Sequence, residues 1–362
     1  MFARTYIFIV IAFLLQLSRA VPVKKPTLHI FGDSLSDIGR LKNITHGIMP
    51  PRVYWNGRFS SGPVWNEYLS LLLDFNLDNH AVGLAKSETV HRMILNLLPL
   101  DPPTTEDQIA EFATNLQLGN TAPLNPLVDI AVLEIGSNDA NSAFVEVPEG
   151  DLTIYEFAHQ LSDIVVGQLQ SLRDLGFRKI LVTNLPSLQH APIVRAKQRT
   201  DMAQVAVSYY NRLLKEKTDS WRQSVGESLD LFDIVDLGGF VDIAIRPSVS
   251  MELGITDTVS YCVAGPWVDL FNDQLSLTKF MRYLVSSDSN AALCDDPGTR
   301  FFWDPVHPSE RVHRLFAYHI YNTLLPMVSS QADSNYELSE SGLIELIRKH
   351  KLDEPAPKPA SI

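Results

Sequence analysis

The chain has 362 residues, of which 45% are hydrophobic and 20% charged, and its formal net charge is −12. A chain of this length can bury a large core in one or two domains. The acidic balance argues against nucleic acid as a partner, because neutralising phosphates takes clustered Lys and Arg.

The first residues stand apart from the rest. Arg4 precedes the apolar run "YIFIVIAFLLQL" (6–17), and "SRA" (18–20) sets small residues where a signal peptidase reads. Residues 1–20 are therefore expected to be a signal peptide and the protein to be secreted and extracellular. The run is short for a membrane span and no later segment is longer, so no stable membrane insertion is expected.

From there strands and helices alternate. "TLHIFGD" (27–33) reads as a strand. "SGPVWNEYLSLLLD" (61–74) reads as a helix with Ser61 as cap and Pro63 in its first turn. "DNHAVGLA" (78–85) reads as a short strand, and "TEDQIAEFATNLQL" (105–118) as an amphipathic helix opened by a hydroxyl and two acids. "VDIAVLEIG" (128–136) has the apolar, β-branched content of a central strand. A long helix over 154–175, a strand over 178–186, a helix over 202–221 and a strand over 228–236 follow. The last main helix is expected over 308–328, with His313 and His319 on its surface.

Residues 240–305 hold Gly, Pro and both cysteines, and read as long loops. The folded domain is expected over 21–329, followed by a polar, partly disordered tail at 330–362. Within that tail "ELSESGLIELIRKH" (337–350) can form a short helix. Strand–helix alternation at this length implies βαβ units and a mainly parallel sheet with helices on both faces, an α/β fold.

Secretion bears on the two cysteines. Cys262 and Cys294 are expected to form a disulfide rather than a metal site, which needs more ligands. Asn43-Ile44-Thr45 is a glycosylation sequon.

Three short stretches carry chemistry. In "LHIFGDSLSDIGR" (28–40) a strand ends on a turn that can expose the Ser34 hydroxyl, although Ser34 or Ser36 could equally cap a helix. "EIGSNDA" (134–140) puts Asn138 just past a strand, where its amide can face a developing oxyanion. In "WDPVHPSE" (303–310) Asp304 and His307 lie three apart on a proline-stiffened loop, so the carboxylate can hold one imidazole nitrogen and leave the other outward. Acyl transfer needs these parts: a hydroxyl nucleophile, a His base, an orienting carboxylate and oxyanion donors.

In this order the blocks resemble the GDSL esterase/lipase group of the SGNH hydrolase superfamily. "FGDSLSD" (31–37), "GSND" (136–139) and "DPVHP" (304–308) match its first, third and last blocks, and "GRFSSGPVWNEYL" (57–69) and "RKILVTNLPSL" (178–188) resemble further segments. The resemblance covers most of residues 27–327. It implies a three-layer α/β/α, flavodoxin-like fold. It also implies Ser34 as nucleophile, His307 as base, Asp304 as its orienting partner, and an oxyanion hole from the N–H of Ser34 and the side chain of Asn138. The second block departs from the pattern at "AVGLAKSE" (81–88), where the oxyanion glycine falls on Gly83 or on Leu84 depending on alignment.

The chemistry implied needs no metal and no organic cofactor. The expected function is a secreted serine ester hydrolase acting on short-chain or acetyl esters of carbohydrate. A lipase or phospholipase on lipid esters is the alternative, and an inactive binding protein on the same scaffold a further one.

Overall fold

The computed structural model describes residues 25–88, 102–146, 153–268, 291–328 and 336–356. The signal-peptide reading of residues 1–20 lies outside the described residues.

Five parallel strands form the central sheet: β1 (Thr27–Gly32), β2 (Asn76–Asn79), β3 (Ile130–Glu134), β4 (Lys179–Thr183) and β5 (Leu231–Val235), in spatial order 2-1-3-4-5. This is the α/β, flavodoxin-like order expected. Side-chain alternation assigns each strand to both layers. Leu28 and Ile30 of β1 and Ile130 and Val132 of β3 face one core, while Phe31, Ala131 and Leu133 face the other.

The first core is closed by α2 (Trp65–Leu73), α8 (Leu237–Ala244), α10 (Glu310–Val328) and α11 (Glu340–His350). The second is closed by α3 (Thr105–Leu118), α5 (Ile154–Asp174) and α7 (Thr200–Val225). Short helices α1 (Arg40–Ile44), α4 (Ser137–Ala140), α6 (Pro192–Ala196) and α9 (Pro247–Ser250) lie in the connections. Among the described residues no helix is long and apolar enough to cross a membrane.

Four local expectations change. The second strand lies earlier than 78–85, at Asn76–Asn79, yet its pairing with β1 runs on through His80 N–H to Ile30 O (2.8 Å) and Val82 N–H to Gly32 O (3.1 Å). Ser61 does not cap α2. That helix starts at Trp65, where Glu67 reaches back to the Val64 N–H, and the Ser61 hydroxyl instead accepts the Glu310 N–H at the start of α10 (3.0 Å).

Residues 240–305 are not simply loop. Besides α8 and α9, β6 (Asp257–Tyr261) pairs with β9 (Arg300–Phe302), and β7 (Val263–Ala264) with β8 (Ala292–Leu293). Finally, the short helix that the tail allows is α11. Its Leu343, Leu346 and Ile347 are buried in the first core, so the folded unit continues past residue 329.

Candidate active site

The site sits at the carboxyl edge of the sheet, where the chain leaves β1 for β2 on one side and β3 on the other. Parallel sheets open a crevice at such a switch in strand order. Ser34 follows β1, and Asn138 follows β3. His307 and Asp304 arrive on the loop between β9 and α10.

The turn after β1 divides its polar groups by role. Ser36 is taken up inside, donating to Glu134 Oε2 (2.8 Å) and accepting from Trp65 Nε1 (3.1 Å). Neither serine caps α1. The Asp37 carboxylate does so, accepting the N–H groups of Gly39, Arg40 and Leu41 (2.7, 2.6 and 3.0 Å). Ser34 is left facing the pocket, its Oγ 2.7 Å from His307 Nε2.

The other imidazole nitrogen, Nδ1, lies 2.6 Å from Asp304 Oδ2. A carboxylate only accepts, so Nδ1 carries the proton and Nε2 is free to accept from the serine. Asp304 is fully buried and closes its own turn, with Oδ1 accepting the N–H groups of Val306 (2.8 Å) and His307 (2.7 Å). Its second oxygen also accepts from the Tyr54 hydroxyl (2.6 Å), which in turn accepts from Trp267 Nε1 (2.6 Å). Burial alone would raise the Asp304 pKa. The charge and hydrogen bonds of His307 and the Tyr54 hydrogen bond outweigh that and hold the carboxyl below its usual range.

Backbone and side-chain N–H groups line the same cavity. The Ser34 N–H finds no acceptor among the described residues. Asn138 Nδ2 donates to Ala85 O (2.8 Å) and has a second N–H, 3.5 Å from Asp33 Oδ2.

Of the two second-block candidates, Gly83 is corrected. Its N–H is committed to Asp37 Oδ2 at 2.7 Å. Gly83 is there for space: a Cβ on it would stand 2.2 Å from the Phe59 ring. Leu84 lines the pocket, adopts the left-handed conformation (φ 69°), and its N–H finds no acceptor among the described residues. A leucine in that conformation costs about 1–2 kcal/mol.

The cavity holds about 100 Å³ and runs from Ser34 between Trp65, Phe240, Phe302 and Phe316. Glu134 lines it beside His307 and His313, with Asp33 buried next to Glu134. Burial pushes Glu134 up to about 7, and burial together with the Glu134 charge raises the neighbouring Asp33 well above its usual range. His313 was expected on a helix surface. It is buried instead, which lowers its pKa to about 3, and its Nε2 has no partner among the described residues. His319 is also buried, against Tyr336 (2.8 Å). Helical spacing shows neither burial, because His313 faces the cavity beside His307 and His319 packs on Phe240 and Tyr336.

Cys262 and Cys294 are bonded, and the Cys262 and Val263 N–H groups both donate to Trp303 O (3.0 and 2.9 Å), beside Asp304. Asn43 is exposed on α1.

A sequence model described as "GDSL-like Lipase/Acylhydrolase" matches residues 28–320. The phosphatidylcholine-sterol acyltransferase of Aeromonas hydrophila is 26% identical over 309 residues, covering 78% of this chain and 85% of that protein. The thermolabile hemolysin of Vibrio parahaemolyticus is 26% identical over 291 residues, covering 79% of this chain and 60% of its own length. A solved structure of a lipolytic G-D-S-L family member from Veillonella parvula aligns with TM-score 0.40 and 13% identity, over 84% of this chain and 99% of that one. The family match runs from β1 into α10 and so takes in every turn that builds the pocket: the chain belongs to the GDSL lipase/acylhydrolase family and is a carboxylic ester hydrolase.

Proposed function

We infer that Ser34 attacks the ester carbonyl while His307 Nε2 takes its proton, and that Asp304 holds the imidazole in that tautomer. The tetrahedral oxyanion sits among the N–H groups of Ser34 and Leu84 and the Asn138 amide. Collapse expels the alcohol, protonated by His307, and leaves an acyl-enzyme. Water activated by the same imidazole then releases the acid. The observation that carries this reading is the unbroken chain from Ser34 Oγ to His307 Nε2 (2.7 Å) and from His307 Nδ1 to Asp304 Oδ2 (2.6 Å).

For the substrate, the apolar cavity beside Ser34 favours an aliphatic acyl group longer than acetyl. An acetyl methyl would leave Phe240 and Phe316 unused, whereas a longer chain buries about 25 cal/mol per Å² of apolar surface against them. That supports the lipid-ester alternative over acetylated carbohydrate. The name of the acyltransferase relative, which includes phosphatidylcholine, points the same way.

The test is hydrolysis of p-nitrophenyl esters from acetate to palmitate by wild type and Ser34→Ala. Activity that rises beyond acetate and vanishes in the variant is expected. A maximum at acetate would return the substrate to short acyl groups, and equal rates in both proteins would remove Ser34 from its role.

Secretion belongs to the same reading. The leader-like residues 1–20, the Cys262–Cys294 bond and the exposed Asn43 sequon support an oxidising compartment. An exported protein starting at Val21 is the expected result of N-terminal sequencing.

A further inference from the structure

The edge of the sheet away from the serine holds a second cluster. β1 and β2 pair with His29 opposite Asp78, so these side chains stand together on one face. His80, two residues past Asp78, falls on the same face, and its N–H extends the ladder to Ile30 O (2.8 Å). Both imidazoles converge on one oxygen. His29 Nδ1 lies 3.0 Å and His80 Nε2 3.2 Å from Asp78 Oδ2, and the three donor atoms lie within 4.8 Å of one another.

We propose that His29 Nδ1, His80 Nε2 and Asp78 Oδ2 bind a divalent transition-metal cation, with zinc as the probe. Ligands at about 2.0–2.2 Å around a tetrahedral zinc stand roughly 3.3 Å apart, close to the two imidazole–carboxylate separations. Two neutral imidazoles and a carboxylate suit zinc and its neighbours rather than magnesium or calcium.

The surroundings support the same reading. On the far side of the ring His29 Nε2 has no hydrogen-bond partner among the described residues, and Asp129 Oδ2 stands 3.9 Å away, at ion-pair but not hydrogen-bond distance. The rings are already placed. His80 stacks on Phe31 (5.0 Å, 12°), and His29 meets Phe112 and Phe177 edge-on (5.3 and 5.2 Å). The Asp78 side chain is 33% exposed, which leaves a route in and room for a water ligand. Such an ion would clamp the edge strand β2 to β1, independently of the ester chemistry.

The experiment takes full-length protein, strips it with chelator, titrates zinc chloride by calorimetry, and melts it with and without zinc. One zinc per chain and a higher melting temperature are expected. His80→Ala and Asp78→Asn should each weaken zinc about tenfold or more and abolish the thermal shift, while ester hydrolysis shows that the variants are folded. Two variants are used so that misfolding of one leaves the other to answer. No stoichiometric zinc in wild type, or wild-type zinc affinity in a folded variant, would overturn the site and leave an ordinary imidazole–carboxylate cluster.

Discussion

Tyr54 and Asp304 lie 250 positions apart in the chain and are joined by a 2.6 Å hydrogen bond between buried groups. The phenol donates to the Asp304 oxygen that His307 Nδ1 also approaches at 2.6 Å. The two donors therefore share one acceptor. Trp267 holds the phenol in turn, so the proposed base rests on a relay reaching into the cluster of Phe59, Trp267 and Trp303 beside the disulfide.

Removing the phenol should loosen the carboxylate that orients His307. In Tyr54→Phe, Asp304 Oδ2 keeps only the imidazole as a donor, and kcat should fall about tenfold at neutral pH. The buried acceptor loses a charge-assisted bond, so stability should fall by about 1.5–3 kcal/mol. Wild-type kcat in a destabilised Tyr54→Phe would assign Tyr54 a packing role alone.

The second block makes a paired prediction. Gly83→Ala would place a Cβ 2.2 Å from the Phe59 ring, which packs on His307 at 4.9 Å. The ring must then shift toward the imidazole, and overpacking of this kind costs about 1–3 kcal/mol. Lower kcat and lower stability are expected together. Leu84→Gly should behave differently. It keeps the free N–H and relieves the left-handed backbone, so activity should persist while the acyl-chain profile changes. Loss of activity in Leu84→Gly with none in Gly83→Ala would reverse the two assignments.

How much of this was legible in the sequence depended on range. Ser34, Asn138, Asp304 and His307 each end a short block with local punctuation, a strand end or a proline-bounded loop. Four of the five strands were legible from apolar, β-branched runs, whereas β2 (NLDN) holds no β-branched residue and was expected at 78–85. Tyr54 carries no such signal: nothing near 54 encodes a partner at 304. Gln108 was equally silent, yet it clamps the end of β1 by accepting the Gly32 N–H and donating to the Gly32 carbonyl (both 2.9 Å). His313 misled because spacing along a helix cannot show that this side of α10 closes the cavity beside His307. His29, Asp78 and His80 were read only as strand residues, since their convergence follows from the β1–β2 register.

Glu134 sets a pH dependence of stability. Burial raises its folded-state pKa from 4.5 to about 7, so the fold prefers the protonated form, as it does for Asp33. The contribution is fully present below the unfolded value and is lost as pH rises through the folded one. Wild type should lose stability between about pH 4.5 and 7 in excess of Glu134→Gln, on the order of a few kcal/mol. Thermal melts of both proteins across that window measure the difference. Parallel curves would mean that the carboxyl is already ionised in the fold.

The disulfide should matter for the loop of Asp304 as well as for stability. Cys262 and Cys294 close a loop with a sequence separation of 32, and in the chain-entropy account such a bond adds about 3–4 kcal/mol by restricting the unfolded chain. The Cys262 segment also donates twice to Trp303 O, beside Asp304, and Trp267 lies in the same apolar cluster. In the double variant Cys262→Ser, Cys294→Ser the melting temperature should fall. kcat should fall too at temperatures where the protein remains folded, because the Tyr54–Asp304 relay loses its backing. A variant with lower melting temperature but unchanged kcat would confine the bond to stability, since a merely entropic cross-link has no reason to alter turnover in the native state.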